Sequence, residues 1–170
     1  MMQELLKAIS DASKDNSVKV IVIASTGDVF CSGHNLKEIN EAKKSDDNGE
    51  SYYLGLFKIC SSLMQLIIHC SKPVIAEVNG IATAAGCQLV ASCDLAVSSD
   101  SSKFATPGVN IGLFCSTPMV ALSRNVSQKN SMKMLLTGDM ISADEAKRIS
   151  LINDCVPEEQ LTKLVMDLAE

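Results

Sequence analysis

No cluster of lysine or arginine occurs anywhere in the 170-residue sequence, and the formal net charge is −5. A chain without a basic footprint is a poor partner for nucleic acid or an anionic membrane surface, so neither is expected. Although 46% of the residues are apolar, no run approaches the ~18 uninterrupted apolar residues of a membrane span, so a globular chain without such a span is expected. C-x-x-C pairs are missing too. The seven cysteines, Cys31, Cys60, Cys70, Cys87, Cys93, Cys115 and Cys155, form an odd set. That set points to free, buried thiols in a reducing compartment rather than to a disulfide framework. With only His34 and His69 as histidines, no Cys/His spacing supports zinc, and no metal is expected. The opening segment MMQELLKAISDASKD has acidic residues and lysines but no arginine, so it reads as neither a signal peptide nor a transit peptide.

The length suits a single domain, residues 1–170, able to bury about 70% of its unfolded-chain surface. Helical spacing of Met2, Leu5, Leu6 and Ile9 predicts an opening helix over 2–13, and the apolar run Val18–Ala24 predicts a buried strand. Asn35 is placed to cap a helix through Lys44, and the polar stretch 45–51 reads as a flexible surface loop. A long helix face follows from Tyr53 to Ile67, then a second strand at Val74–Val78 after Pro73. A small-residue helix, TAAGCQLVAS, precedes a third strand from Leu95. Helices are predicted at about 117–123, 127–136 and 142–149, the last with a Ser142/Glu145 capping box, and the chain ends in a further helix. Strands alternating with helices predict an α/β fold with largely parallel pairing.

The phosphate-loop, dinucleotide and serine-hydrolase signatures are all absent, which removes nucleotide hydrolysis, nicotinamide redox chemistry and nucleophilic-serine chemistry. Two strand-to-helix junctions remain rich in glycine and small residues: Phe30-Cys31-Ser32-Gly33-His34-Asn35 and Asn79-Gly80-Ile81-Ala82-Thr83-Ala84-Ala85-Gly86. The first N–H groups of a helix lack intrahelical partners, so such junctions can receive a developing negative charge. The same glycines also serve as simple turn residues, and spacing alone leaves both readings open.

The segments VKVIVIASTGDVFCSGHNLKEI, KPVIAEVNGIATAAGCQLVASCDLAV and SKFATPGVNIGLFCSTP, in that order, resemble the signature segments of the crotonase (enoyl-CoA hydratase/isomerase) superfamily. The likeness covers Val18 to about Leu161. It implies a spiral of strand-strand-helix repeats, an acyl-CoA thioester as substrate or ligand with no other cofactor, a homotrimer or hexamer, and a mitochondrial place in fatty-acid metabolism. By resemblance the oxyanion hole falls on the backbone N–H groups of His34 and Ala85, Ala85 standing where glycine is usual. The substrate-binding set it implies is Ser32, Gly33, His34, Asn35, Leu36, Ala85, Pro107, Gly108, Leu113 and Cys115.

The two glutamates of family hydratases fall on Gln88 and Gly108. Neither an amide nor a glycine exchanges a proton near neutral pH, so ordinary hydratase chemistry is not expected. Restoring both carboxylates is expected to raise hydration more than restoring either. Decarboxylating relatives of the methylmalonyl-CoA type are similar in reading G-H, and T-P without a following glutamate, and they use tyrosine where this chain has Cys115. That likeness makes His34, with an ordinary pKa of about 6.5, the candidate acid/base group of an enolate-type lyase or isomerase. A non-catalytic acyl-CoA binder or structural subunit is the other reading.

Asp94 is expected to brace a strand end, Glu77 to be a paired or edge carboxylate, and Lys37, Glu38, Glu41, Lys43 and Lys44 to form a solvated helix face. Lys37 or Lys72 could meet a CoA phosphate, and Ser116 or Thr117 could cap a helix. Compared with the resembled family, the chain lacks the first strands and the C-terminal helices. On that basis apolar surface is expected to be uncovered on the strands 18–24 and 74–78, at Leu135–Leu136 and at Leu151–Ile152. A chain so exposed would be marginally stable and a weak binder.

Overall fold

Successive turns of chain build two small sheets in step. In the computed structural model, which describes residues 1–170, α1 (Met2–Lys14) leads into β1 (Ile21–Ala24), β2 (Val29–Cys31), α2 (Leu36–Ala42) and α3 (Glu50–Ile68). A second turn contains β3 (Val74–Val78), β4 (Ile81–Thr83) and α4 (Ala85–Ser92). A third contains β5 (Leu95–Ser99), β6 (Lys103–Ala105), a 3-10 turn at Pro107–Ile111, α5 (Ser116–Asn125) and α6 (Gln128–Thr137). The chain finishes with β7 (Ile141–Ser142), α7 (Ala143–Arg148), β8 (Asp154–Val156) and α8 (Glu158–Ala169).

Each turn adds one strand to each sheet, giving the orders β1-β3-β5-β8 and β2-β4-β6-β7. All pairs are parallel except β6 with β7. In the first sheet Ile21 lies opposite Val74, and Ile75 opposite Leu95. One face of that sheet, together with the second sheet, α1, α3 and α4, shares a cluster of 27 buried residues that includes Ile9, Ile67, Val74, Val78 and Phe104. The other face is covered by α8, whose Leu161 and Val165 pack on Ile75 and Val97. Its Thr162 hydroxyl donates to Glu77 Oε1 at 2.6 Å, which gives the one carboxylate of β3 a partner. Asp94 braces the sheet as expected, its Oδ2 accepting the Val74 N–H at 2.8 Å.

Several expectations are corrected. The surfaces expected to be bare are largely covered: Ile21, Ile23, Val74, Leu135, Leu151 and Ile152 are buried, Val18, Val20 and Val22 are half-buried, and of the apolar residues only Ala24 and Leu136 are exposed. α8 and the shared cluster supply that cover. The run Val18–Ala24 pairs only from Ile21, because its neighbour begins at Val74, and the Val18 N–H turns back to Asp15. Lys72 is not free for a phosphate, since its ammonium donates to the carbonyls of Ala12, at 2.6 Å, and Asp15. The stretch 45–51 is in part the first turn of α3. Asp47 organises it, accepting from the backbone N–H groups of Gly49 and Ser51 at 3.0 Å each and from the Ser45 hydroxyl at 2.7 Å.

The capping box at α7 is half formed. Ser142 Oγ accepts the Glu145 N–H at 3.2 Å, but the Glu145 carboxylate grips Arg148 through two bonds instead of reaching back. Neither Ser116 nor Thr117 caps α5, whose N-cap position is Cys115 without a side-chain bond. All seven cysteines are free, but only Cys60 and Cys87 are buried, the others being half-buried. By length and composition alone, α3 is long and apolar enough to cross a membrane; here Cys60, Leu63, Met64 and Ile67 commit one of its faces to the core.

Candidate functional site

β2 and β4 are adjacent and parallel, so the loops leaving their C-terminal ends emerge side by side. The loop after β2 passes through Ser32, Gly33 and His34 to Asn35, which caps α2 by accepting the Lys37 N–H at 3.1 Å while its Nδ2 donates to Glu38 at 2.7 Å. The corner after β4 is Ala84, a left-handed residue at φ 52°. Gly33 faces this corner at φ +97°, where a Cβ would lie 3.0 Å from the Ala84 Cβ and 3.5 Å from Ala85 N. Gly86 is pressed closer still on Cys31: a Cβ there would come within 1.9 Å of the Cys31 carbonyl oxygen. Only glycine permits that approach. The strain of the corner falls on Ala84 while Ala85 is already helical, so an L-residue replaces the usual glycine at position 85 without left-handed strain.

The backbone N–H of His34 has no hydrogen-bond partner in the protein. Ala85, the first residue of α4, has no partner for its N–H either. Two free backbone donors on adjoining loops are the arrangement a developing oxyanion needs. The His34 ring is half-buried and meets Phe57 of α3 edge to face, with centroids 5.8 Å apart. Burial lowers the pKa of this imidazole below its ordinary 6.5, which keeps it neutral at pH 7. A neutral imidazole can accept a proton or donate one hydrogen bond.

One turn into α4, Gln88 is 8% exposed, and its Oε1 is out of reach of solvent without a partner. A second group of expected residues gathers around the 3-10 turn that Pro107 opens. There the Leu113 N–H donates to the Gly108 carbonyl at 2.9 Å. A Cβ at Gly108 would lie 2.8 Å from both Leu113 O and Cys115 Sγ, so a carboxylate cannot be added at position 108 without moving the loop. Restoring both glutamates, the change expected to raise hydration more than either alone, therefore carries a steric cost at position 108. Cys115 sits close enough to raise the Cys87 thiol, which burial chiefly pushes up to about 12. Both groups border α4, which starts at Ala85 and packs against α5 just after Cys115. Leu36 and Leu113 are 51% and 60% exposed, and Ser32 is exposed with its carbonyl accepting from Thr83 at 3.3 Å.

A cavity of about 480 Å³ opens between α3, α4 and α5, with Phe57, Met64, Gln88, Ala121 and Arg124 among its lining residues. Sequence reasoning singled out neither Phe57 nor Arg124. Arg124 had a readable signal: Val120 and Ala121, its neighbours one helical turn back, offer no acid, whereas Arg148 has Glu145.

Two interleaved sheets wound by strand-strand-helix turns, with free amides at two adjoining loops, define a crotonase-like α/β protein. The family model for enoyl-CoA hydratase/isomerase matches residues 1–170, and the chain belongs to that family. It is 52% identical over 170 residues to the mouse protein "Enoyl-CoA hydratase domain-containing protein 3, mitochondrial", covering all of this chain and 55% of that one. The crystal structure of the human enoyl-CoA hydratase domain-containing protein 3 superposes with a TM-score of 0.91 at 49% identity, covering 99% of this chain and 64% of the other. An enoyl-CoA hydratase/isomerase family protein from Silicibacter pomeroyi gives 0.92 at 46% identity, covering 99% and 70%. The chain thus spans about half the length of the curated relatives it matches.

Proposed function

We propose that this chain binds an acyl-CoA thioester within mitochondrial fatty-acid metabolism and holds the thioester oxygen on the His34 and Ala85 backbone amides. The observation that carries the reading is the pair of unpartnered amides on loops held together by Gly33 and Gly86. Fixed dipoles of this kind stabilise an enolate, and removing one such donor typically costs about 10²–10³ in rate. Ser32, Asn35, Leu36, Pro107, Gly108, Leu113 and Cys115 border the thioester in this reading, no cofactor beyond coenzyme A takes part, and the assembly is the trimer or hexamer of the family.

Hydration needs a group to deliver water and a group to deliver a proton, and the Gln88 amide and Gly108 supply neither. The expected result is that crotonyl-CoA binds but is hydrated at least ~10⁴-fold more slowly than by a relative carrying both glutamates. Titration calorimetry and a hydration assay on the purified chain check this. Turnover within tenfold of that relative would overturn the loss of hydratase activity; absence of any acyl-CoA binding would overturn the ligand. A second reading rests on His34: a neutral, half-buried imidazole on the oxyanion-hole residue is suited to proton transfer in a lyase or isomerase reaction. Incubation with a panel of CoA thioesters, read by mass spectrometry, separates it from non-catalytic binding. A product that disappears in His34→Gln supports the enzyme, and an unchanged panel supports the binder.

A further inference from the structure

The cavity beside the oxyanion-hole loops has a lining whose polar groups fall into two sets. Four of them have their bonds made within the fold. Ser92 donates to the Gln88 carbonyl, Cys93 to the Leu89 carbonyl, and Asn125 Nδ2 to the carbonyls of Ala91 and Ala121. Asp94, the one anion of the lining, is turned to the Val74 N–H at the start of β3. The side chains of Ser61, Gln65, Gln88, Thr117 and Arg124 make no such bond, and among these Gln88 is the buried one and Arg124, which is exposed, is the one cation of the lining. Gln88, more than nine-tenths buried, makes no side-chain hydrogen bond, and because only its Oε1 is sealed off, its Nε2 is the end that meets the cavity. Arg124 makes no ion pair, although the other arginine, Arg148, and several lysines do.

An unbranched alkyl chain drawn into this cavity would leave a buried amide donor unsatisfied, and an unmade bond of that kind is expensive. A carboxylate would satisfy it and at the same time pair with the guanidinium. Position matters as well. Arg124 lies eight residues along α5 from Ser116, about 12 Å of helical rise at 1.5 Å per residue, away from the end where Cys115 touches Gly108. The cation is therefore remote from the thioester end, and the carboxylate it would meet is at the far end of the acyl group.

We propose that the cavity selects acyl-CoA thioesters whose acyl group ends in a carboxylate, with Arg124 as the ion-pair partner and Gln88 as a hydrogen-bond donor to the same carboxylate. This rests on the acyl-CoA reading above and adds the substrate class to it. A glutamate at position 88 would repel such a chain, so the amide found there is the residue type that admits it.

The test compares adipyl-CoA, its monomethyl ester and hexanoyl-CoA by titration calorimetry against the purified chain. The three share the coenzyme and differ in the distal group. Adipyl-CoA is expected to bind at least about tenfold more tightly than the other two, a usual consequence of one charge-assisted pair. Arg124→Met is expected to bring the ratio to about one, and Arg124→Lys to keep most of it. Should Arg124→Met fail to show a cooperative melt, the wild-type ratio of the acid to its methyl ester carries the decision. Equal binding of those two would overturn the proposal while hexanoyl-CoA binding preserved the acyl-CoA reading. Failure of all three to bind would overturn both.

Discussion

Because a Cβ at position 108 would lie 2.8 Å from a backbone carbonyl oxygen and 2.8 Å from the Cys115 sulfur, Gly108→Glu is an overpacking substitution before it is a chemical one. It is expected to destabilise by about 1–3 kcal/mol and to add no hydratase activity, alone or with Gln88→Glu. Thermal melts and a crotonyl-CoA assay check this, and a gain in hydration without loss of stability would contradict it. His34 makes a prediction of the opposite kind, through pH. Its folded pKa lies below the ordinary 6.5 because burial disfavours the imidazolium. The unfolded chain therefore binds more protons, so this contribution to stability is complete above about pH 6.5 and is lost as pH falls toward the folded value. The melting temperature of wild type relative to His34→Gln should be constant above about pH 6.5 and fall as pH drops below it. A difference independent of pH between 5 and 7.5 would show that burial does not hold the ring neutral.

Among the elements, α3 depends on a residue outside it. Asp47 accepts the N–H groups of Gly49 and Ser51, and these bonds, with the Ser45 and Ser51 contributions, hold its carboxyl well below the usual carboxylate range. Its support of the turn is thus present above about pH 4 and is lost only in strong acid. Asp47→Ala is expected to speed amide exchange over Glu50–Tyr53 and to leave Leu63–Ile67 unchanged; equal exchange in both variants would show that the helix starts without this cap.

Long elements were legible for a physical reason. The helical spacing in α1 and α3 and the apolar runs of β3 and β5 repeat over enough residues to stand out. The three-residue strands β2, β4 and β6 carry no such repeat, and their segments read as loops until the neighbouring strand is in place. The site divides in the same way. Gly33, Ala85 and Gly86 lie in contiguous small-residue segments that stand out in the sequence, although only the resemblance assigns Ala85 a role. Arg124 and Phe57 reach the cavity only because α3 and α5 are folded against α4. The contact of Gly108 with Cys115 likewise crosses a turn whose closure the composition does not state.

For the whole molecule, the two faces of the first sheet are unequally secured. One face belongs to the 27-residue cluster that also holds the second sheet, while the other rests on Ile75, Val97, Leu161 and Val165. Detaching α8 would expose that smaller cluster and break the Thr162–Glu77 and Glu158–Asn79 bonds, yet would leave the larger cluster intact. Opening of α8 is therefore a sub-global event with a lower free energy than unfolding of β3, which the larger cluster still holds. Native-state hydrogen exchange should show the α8 amides exchanging by a route that needs less denaturant than those of Val74–Val78. Leu161→Ala, which empties a site now 2% exposed, should cost about 2–5 kcal/mol in the opening of α8. It should lower α8 protection before it lowers that of β3. If the amides of α8 and β3 instead share one opening free energy in wild type, the molecule unfolds as a single unit and the four-residue cluster is energetically continuous with the larger one.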